Sequence, residues 1–513
     1  MPNWNVNVLS DRSSSSRATP DPEPVAGESE SRSPVLPAIA KKPIAMITVI
    51  VAIVHLILAA TSDYWVDEGY MIAAGEFHPS LGYVDQPPVV PMIAAAMQWL
   101  GQGSLFVVRL PAVGATVAGV LLSALLAREF GGGRRAQVWT AFAYATGMWI
   151  TLVGHWLTPY NLEPALWALL CWLLVRWIRL HRAGRADDRL LLLLGVVIGV
   201  TAETKFQLFL FCAALLVSVL AVGPRNLLRR PKFWAGALIA AVLAVPTLTW
   251  QAMHGWPQLA MGELVKSDSE ALSGGRLGAL LGMVGYAGVV GTLLLLVGVG
   301  RLLCATELRP YRLFAVSFLL LFVFFVVTSG RPYYLTGLYP VLMAAGAVGF
   351  QRVRESKGTK YSVIITCLAV PLSLAGAALA GVWLSASATL DAQFGVRSTA
   401  VLARQIDAGY HRIPEPRRDH TAVLTQSFYV AAFNDVYRTA TGMPGAYSPH
   451  RGYGYFPIPG KTITSVLWVA QDPGQLRPFF AEIRPVAIRG QKMWLCAGRT
   501  RPWSAIWPAI RRL

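Results

Sequence analysis

"YWVDEGYMIAAGEFHPSLGYVDQPPVV" occupies residues 64–90. It follows an apolar run, 44–61, that is long enough to cross a bilayer, for which about 20 residues suffice. The stretch then places Asp67, Glu68, Glu76 and Asp85 in a short loop that contains neither Lys nor Arg. Carboxylates crowded against a low-dielectric surface disfavour their own charge. A loop of this kind implies a partner outside itself: a metal, a hydroxyl acceptor, or cations from other loops.

The rest of the chain agrees with a membrane setting. Of 513 residues, 54% are hydrophobic and only 14% are charged, against about 25% charged in soluble domains. Mean hydropathy is +0.48. The net charge of +18 does not point to nucleic acid, because the basic residues sit in short connectors between apolar runs, as membrane orientation requires. Apolar runs near 44–61, 105–127, 136–156, 163–180, 189–203, 206–222, 233–250, 278–300, 311–328, 338–350 and 361–385 predict about eleven transmembrane helices. Cys171, Cys212, Cys304 and Cys367 lie inside such runs and Cys496 stands alone, a pattern of apolar filler rather than of a disulfide framework. Residues 1–43, with "SSSS" and "ESESRS", read as a disordered tail that cannot bury a core.

Charge bias orients the chain. One set of connectors carries Arg128, Arg134, Arg135, Arg176, Arg179, Arg225, Arg229, Arg230, Arg309, Arg352 and Arg354, whereas the alternate set holds little beyond Lys205, Lys266, Arg276 and Arg331. By the positive-inside rule the N-terminus is cytoplasmic and the acidic loop faces outward. Residues 386–513 then follow the eleventh span on the outer face. There the long apolar runs stop, and "TAVLTQSFYVAAF", "ITSVLWVA" and "PVAIRGQKMWLCAG" predict a small α/β domain. The expected organisation is a tail (1–43), a membrane domain (44–385) and an extracytoplasmic domain (386–513).

The outward connectors carry the chemistry. "WVDEGYMIAAGEFH" predicts an interfacial amphipathic helix with Asp67 and Glu68 in its first turn. "HWLTPYNLEPALW" brings Asn161 and Glu163 to a helix start, "AETKFQL" brings Lys205, and "SGRPYYLTGLYP" brings Arg331, Tyr333 and Tyr334. A charge at membrane depth costs a few kcal/mol, so Lys205 either pairs, with Glu203 as the near candidate, or serves a site. Lys and Arg with Tyr hydroxyls suit a phosphate, and a nearby carboxylate can take a proton from a hydroxyl.

These motifs together resemble the bacterial membrane glycosyltransferases related to the protein O-mannosyltransferases and the lipid A aminoarabinose transferases. "DEGYMIAAGEFHPSLGYVDQPPVV" is similar to their first outer loop, and "LTPYNLEPALWALL" to their second, with Glu163 where Asp is usual. "GVTAETKFQLFL", "SGRPYYLTGLYPVLMAAGAV" and "PWSAIWPAIRRL" resemble three further segments in the same order. The resemblance implies a GT-C fold, a polyprenyl-phosphate-sugar donor, and inverting transfer to a protein, glycan or lipid acceptor on the extracytoplasmic side. It implies catalytic roles for Asp67, Glu68 and Glu163, and a donor-phosphate site of Lys205, Arg331, Tyr333 and Tyr334. Asp85, Asn161, Tyr429 and His450 are expected to support the loop or the acceptor. The relatives' N-Y-G-E-A step is only partly kept, because "TQSFYVAAF" lacks its Glu. No cofactor is required by this reading, although carboxylates of the first loop with His78 would suit Mg or Mn. The rival classes are a transporter or flippase of the same lipid-linked sugar and a non-catalytic binder of it.

Overall fold

The computed structural model describes residues 36–273, 275–358, 360–383 and 398–513. Most of the tail therefore lies outside the described residues, and so does the expected 385/386 boundary. The apolar runs fold as helices because a bilayer offers no partner for backbone N–H and C=O groups. In chain order these are α1 (Lys41–Thr61), α2 (Val66–Phe77), α3 (Val89–Leu100), α4 (Leu105–Glu129), α5 (Arg134–Ala145), α6 (Met148–Val153), α7 (Pro159–Arg182) and α8 (Arg189–Ala202). They continue with α9 (Gln207–Val222), α10 (Pro231–Met253), α11 (Pro257–Ser273), α12 (Gly275–Gly285), α13 (Gly288–Cys304), α14 (Arg312–Val327), α15 (Tyr339–Lys357) and α16 (Lys360–Trp383).

Within the described residues, every apolar run predicted from sequence is helical over most of its length. Among the described residues, six helices are long and apolar enough to cross a membrane, or seven with one bent pair, and the shorter α8 and α9 are apolar too. Two runs expected to be continuous are broken. The run 278–300 bends by 89° between α12 and α13, where Gly288 adopts a φ of 74°. The run 136–156 breaks between α5 and α6. The breaks meet: the Trp149 N–H of α6 donates to the Tyr286 carbonyl at 3.2 Å. Irregular backbone is tolerated in such a body when buried in protein, and here it packs Trp149 against Tyr286, Tyr160 and Tyr333.

On the arginine-rich face, Arg176 and Arg179 both reach the buried Glu129, at 3.2 and 2.6 Å. The opposite face carries the two short helices α2 and α3. Gly75 of α2 lies so close to the Pro91 carbonyl of α3 that a Cβ would collide with it. α3 is not foreseen by the sequence reading, which stops at the Pro pair; Pro88 in fact caps it.

Residues 398–513 form a five-stranded sheet ordered β2-β1-β3-β5-β4, with β1 Thr421–Thr425, β2 Ala446–Tyr447, β3 Ser465–Val469, β4 Phe480–Ala487 and β5 Lys492–Arg499. β1 pairs in parallel with β2 and β3, and β5 pairs antiparallel with β3 and β4. β1 and β3 are buried along their whole length, as strands covered on both faces should be. The helix Phe428–Thr441 lays Phe428, Ala431, Ala432 and Phe433 into a shared core with Tyr70, Met71 and Ile72 of α2. The sheet region is thereby docked on the acidic loop 64–90. Asp63 adds a polar tie, accepting from the Thr399 N–H at 2.8 Å and from its hydroxyl at 2.5 Å.

Candidate active site at the carboxylate loop

The four loop acids have separate fates. Glu68, expected to be catalytic, is wholly buried in a salt bridge of 2.7 Å with Arg109. The same carboxylate accepts from the Leu157 N–H at 3.2 Å and reaches back to Trp65 N–H at 3.4 Å, at the start of α2. Arg109 spends its remaining N–H groups on the carbonyls of Ala59, Ser62 and Asp63. Glu68 therefore has its oxygens occupied, and it staples α2 to α1 and α4. The loop acids were expected to find a partner outside their own loop; for Glu68 that partner is Arg109, which comes from the apolar helix α4 rather than from another connector.

Asp67 is only half-buried. Tyr160 of α7 donates to its Oδ2 at 3.1 Å, and Trp65 Nε1 donates in turn to the Tyr160 hydroxyl. Trp65 is itself stacked on Trp156 at 4.2 Å, so the relay rests on a fixed ring. Burial pushes the Asp67 carboxyl above its ordinary value, against the opposing pull of Arg451, Tyr160 and Arg331. Asp85 accepts from the Tyr70 hydroxyl at 3.1 Å. Burial raises it to about 6, again opposed by Arg451, with the negative charge of Asp67 adding to the rise. The two carboxyls thus belong to one electrostatic neighbourhood, both raised by burial and both opposed by Arg451.

The cations come from elsewhere. Lys205, in the connector between α8 and α9, binds Glu163 Oε2 at 2.7 Å. Its ammonium lies 4.9 Å from the ring centroids of both Tyr333 and Tyr334. Glu203 is not its partner; it receives the Thr247 N–H at 3.3 Å instead. Glu163, expected among the catalytic acids, is the counter-ion of Lys205, and its second oxygen accepts no hydrogen bond among the described residues. Arg331 lowers the carboxyl of Asp67 and so faces the same space. Tyr333 stacks on Trp149 at 4.3 Å, and Trp149 also stacks on Tyr286 at 5.3 Å. Asn161 donates to the Val153 carbonyl at 2.8 Å and holds α6 against α7.

The sheet region supplies the residue that sequence reasoning missed. Arg451 has a left-handed backbone, φ 49°, and its guanidinium lies 5.4 Å from the Phe428 ring. Tyr429 and His450 flank that same ring, at 3.9 and 5.3 Å. Gly452 beside it admits the Tyr70 hydroxyl where any Cβ would collide. This close approach lets Arg451 face both Asp67 and Asp85. Arg109 could have been flagged as a charge inside an apolar run; Arg451, in "YSPHRGYGYF", carries no such signal.

The first-loop donors expected to suit a divalent cation are engaged elsewhere. Glu68 is committed to Arg109, and His78 is stacked on Phe456 at 4.1 Å with Asp435 its nearest acid at 3.7 Å. Among the described residues no three His, Cys, Asp or Glu side chains converge. The set Asp67, Glu68 and His78 does not fit a cation.

Beside Tyr334 opens a groove of about 680 Å³ between α9, α10, α11 and α14, lined chiefly by apolar residues such as Phe206, Leu210, Leu248, Leu259 and Phe324.

A polytopic helical body with a small α/β region docked on its first loop is the GT-C fold, shared with the solved structures named below. Residues 85–250 match the sequence profile of the family described as dolichyl-phosphate-mannose-protein mannosyltransferase. The fold is similar to the crystal structure of ArnT from Cupriavidus metallidurans in the apo state, with 14% identity and TM-score 0.59 over 89% of this chain and 98% of that one. It is similar also to the same protein bound to undecaprenyl phosphate, with 15% identity and TM-score 0.58 over 88% and 97% of the two chains. The Archaeoglobus fulgidus oligosaccharyltransferase, in complex with Zn and sulfate, matches at 13% identity and TM-score 0.50 over 82% and 68%. No curated protein sequence matches the chain. The GT-C fold and the resemblance to mannosyl- and aminoarabinosyltransferases read from the motifs are upheld, and the chain is a multi-pass membrane protein.

Proposed function

We propose that the protein is an inverting glycosyltransferase that moves a sugar from a polyprenyl-phosphate carrier to an acceptor hydroxyl on the extracytoplasmic face. The observation that carries the reading is the separation of charge at the site: Asp67 raised and open on one side, Lys205 and Arg331 with two tyrosines on the other. An ArnT structure of this fold holds undecaprenyl phosphate, and the groove beside Tyr334 offers this chain's own place for such a lipid. None of the comparisons favours a transporter.

In the reaction the carrier chain lies in the groove with its phosphate at Lys205 and Arg331. Lys205 has three N–H donors and gives one to Glu163, so two remain for phosphate oxygens. Glu163 fixes the ammonium and Tyr333 and Tyr334 hold it against their π faces, an attraction of about 0.5–2 kcal/mol. The acceptor oxygen attacks the anomeric carbon from the face opposite the phosphate. Asp67 takes the hydroxyl proton, the carbon–oxygen bond to phosphate breaks, and the lipid phosphate leaves with the electron pair. No general acid is needed, because the phosphate leaves as a stable anion while the cations balance its growing charge. Asp85 and Arg451 hold the neighbourhood in which Asp67 ionises. With this orientation the N-terminus is cytoplasmic and the sheet region extracytoplasmic.

The test is purified protein in nanodiscs with a radiolabelled polyprenyl-phosphate sugar and an envelope extract as acceptor. A new glycosylated product without sealed vesicles supports the enzyme. Donor movement across sealed vesicles with no product supports the transporter instead.

A further inference from the structure

A second cavity lies on the same face. It measures about 360 Å³ and is walled by His78, Tyr83, Trp250, His254, Tyr455 and Phe456. That volume falls within the about 300–1,000 Å³ of small-molecule sites. Its location is the informative feature. One wall includes Val84, the residue before Asp85, and Gly452, the residue after Arg451. The chain neighbours of Asp85 and Arg451, though not those side chains themselves, thus form part of its wall. Gln251 separates this cavity from the lipid groove: it lines the groove and donates to the Tyr83 carbonyl at 2.8 Å.

The rings are held in place before any ligand arrives. Trp250 stacks with His254 at 4.0 Å, and Phe456 stacks with His78 at 4.1 Å. Arg511 lies 4.6 Å from the Tyr455 ring. The Tyr83 hydroxyl is engaged with the Ala74 and His78 carbonyls, each at 3.1 Å. His254 commits Nδ1 to the Trp250 carbonyl at 2.8 Å and keeps Nε2 for another partner. No Lys, Arg, Asp or Glu lines the cavity. Aromatic faces carry negative potential that attracts the slightly positive C–H face of a pyranose or furanose, while imidazole edges can bond its hydroxyls. A lining without formal charge does not suit a phosphate, an amino sugar or a uronic acid.

We propose that this cavity is the acceptor subsite and that it binds a neutral sugar residue of the acceptor, stacked on Trp250, Tyr455 or Phe456. The proposal rests on the transferase reading for the word acceptor, but the binding itself does not. The acceptor then enters on the Tyr83 side of Gln251, and the donor carrier lies on its groove side.

The experiment is saturation-transfer NMR with the full chain in nanodiscs and the methyl glycosides of mannose, glucose, galactose and arabinose as probes. At least one glycoside is expected to receive saturation. Trp250→Ala and Tyr455→Ala are expected to weaken that binding about five- to tenfold, while Tyr455→Phe preserves it. Undecaprenyl phosphate binding, unchanged in all variants, shows that they fold. Absence of saturation on every glycoside, or saturation unaffected by both alanine variants, overturns the proposal. So does a tyrosine-containing peptide that binds in a Trp250-dependent way where no glycoside does. Failure of the transferase reading would show instead as absent sugar transfer with glycoside binding intact.

Discussion

Glu68 Oε2 and Arg109 Nη2 meet at 2.7 Å with neither side chain exposed to solvent. Adjacent in sequence, Asp67 and Glu68 differ in kind: one is half-buried and raised by that burial, the other sealed in an ion pair. Removing one partner of a buried pair leaves an uncompensated charge and costs about 3–5 kcal/mol. Glu68→Gln is expected to lower the thermal unfolding midpoint in detergent and to reduce yield, whereas Asp67→Asn leaves both near wild type. Equal midpoints for the two variants would contradict the division of roles.

Asp67→Asn is expected to slow sugar transfer by about 10²–10⁴-fold, the contribution of a positioned base. Binding of undecaprenyl phosphate to the same variant should be unchanged. Turnover within a few fold of wild type would remove Asp67 from the role of base.

The acid limb of kcat/KM reports the base in the free enzyme. Burial raises Asp67 and takes Asp85 to about 6, and only the ionised form accepts a proton. Activity is therefore expected to fall with decreasing pH well above the about 3.9 of free aspartate. Arg451 opposes the rise at both carboxyls, so Arg451→Met should move the limb to higher pH. Tyr160→Phe, which removes a hydrogen bond to the ionised Asp67, should move it the same way. A purely structural role for either residue would lower the rate at every pH and leave the limb in place.

On the proposed reading Lys205→Met takes a charged donor from the lipid phosphate, and it orphans Glu163. With charged hydrogen bonds worth about 1.5–3 kcal/mol, the donor KM is expected to rise about tenfold or more. Glu163→Gln keeps the shape and leaves Lys205 between Tyr333 and Tyr334, so its effect on donor KM should be smaller. Titration of undecaprenyl phosphate against each variant checks the order.

Much of the architecture was legible in the chain. A helix carrying Asp67 and Glu68 was legible, and the structure places it at Val66–Phe77, but it is buried without a break from Glu68 to Ala74 rather than half-exposed as an interfacial amphipathic helix would be. "TAVLTQSFYVAAF" was read as a strand running into a helix, and the structure has β1 followed by the helix Phe428–Thr441. "ITSVLWVA" became β3, and the strand pair around a Gly turn became β4 and β5. Such features are local: periodicity of 3.6 or 2 and a turn residue are written into consecutive positions. The 89° bend at Gly288 was not legible, because a glycine in an apolar run is equally at home in a straight helix.

The sequence by itself determined the membrane body, the acidic loop and the supply of cations on alternate connectors, since hydropathy and charge are properties of composition along the chain. Only the tertiary structure decided which acid meets which cation. Glu68 lies 41 residues from Arg109 and Glu163 lies 42 from Lys205, and Arg451 reaches the loop from the other end of the chain. Pairing at such distances depends on helix packing and on the docking of the sheet region. Desolvation then sets the outcome: a carboxylate sealed with a guanidinium becomes a staple, and one left half-open beside Arg451 stays available as a base.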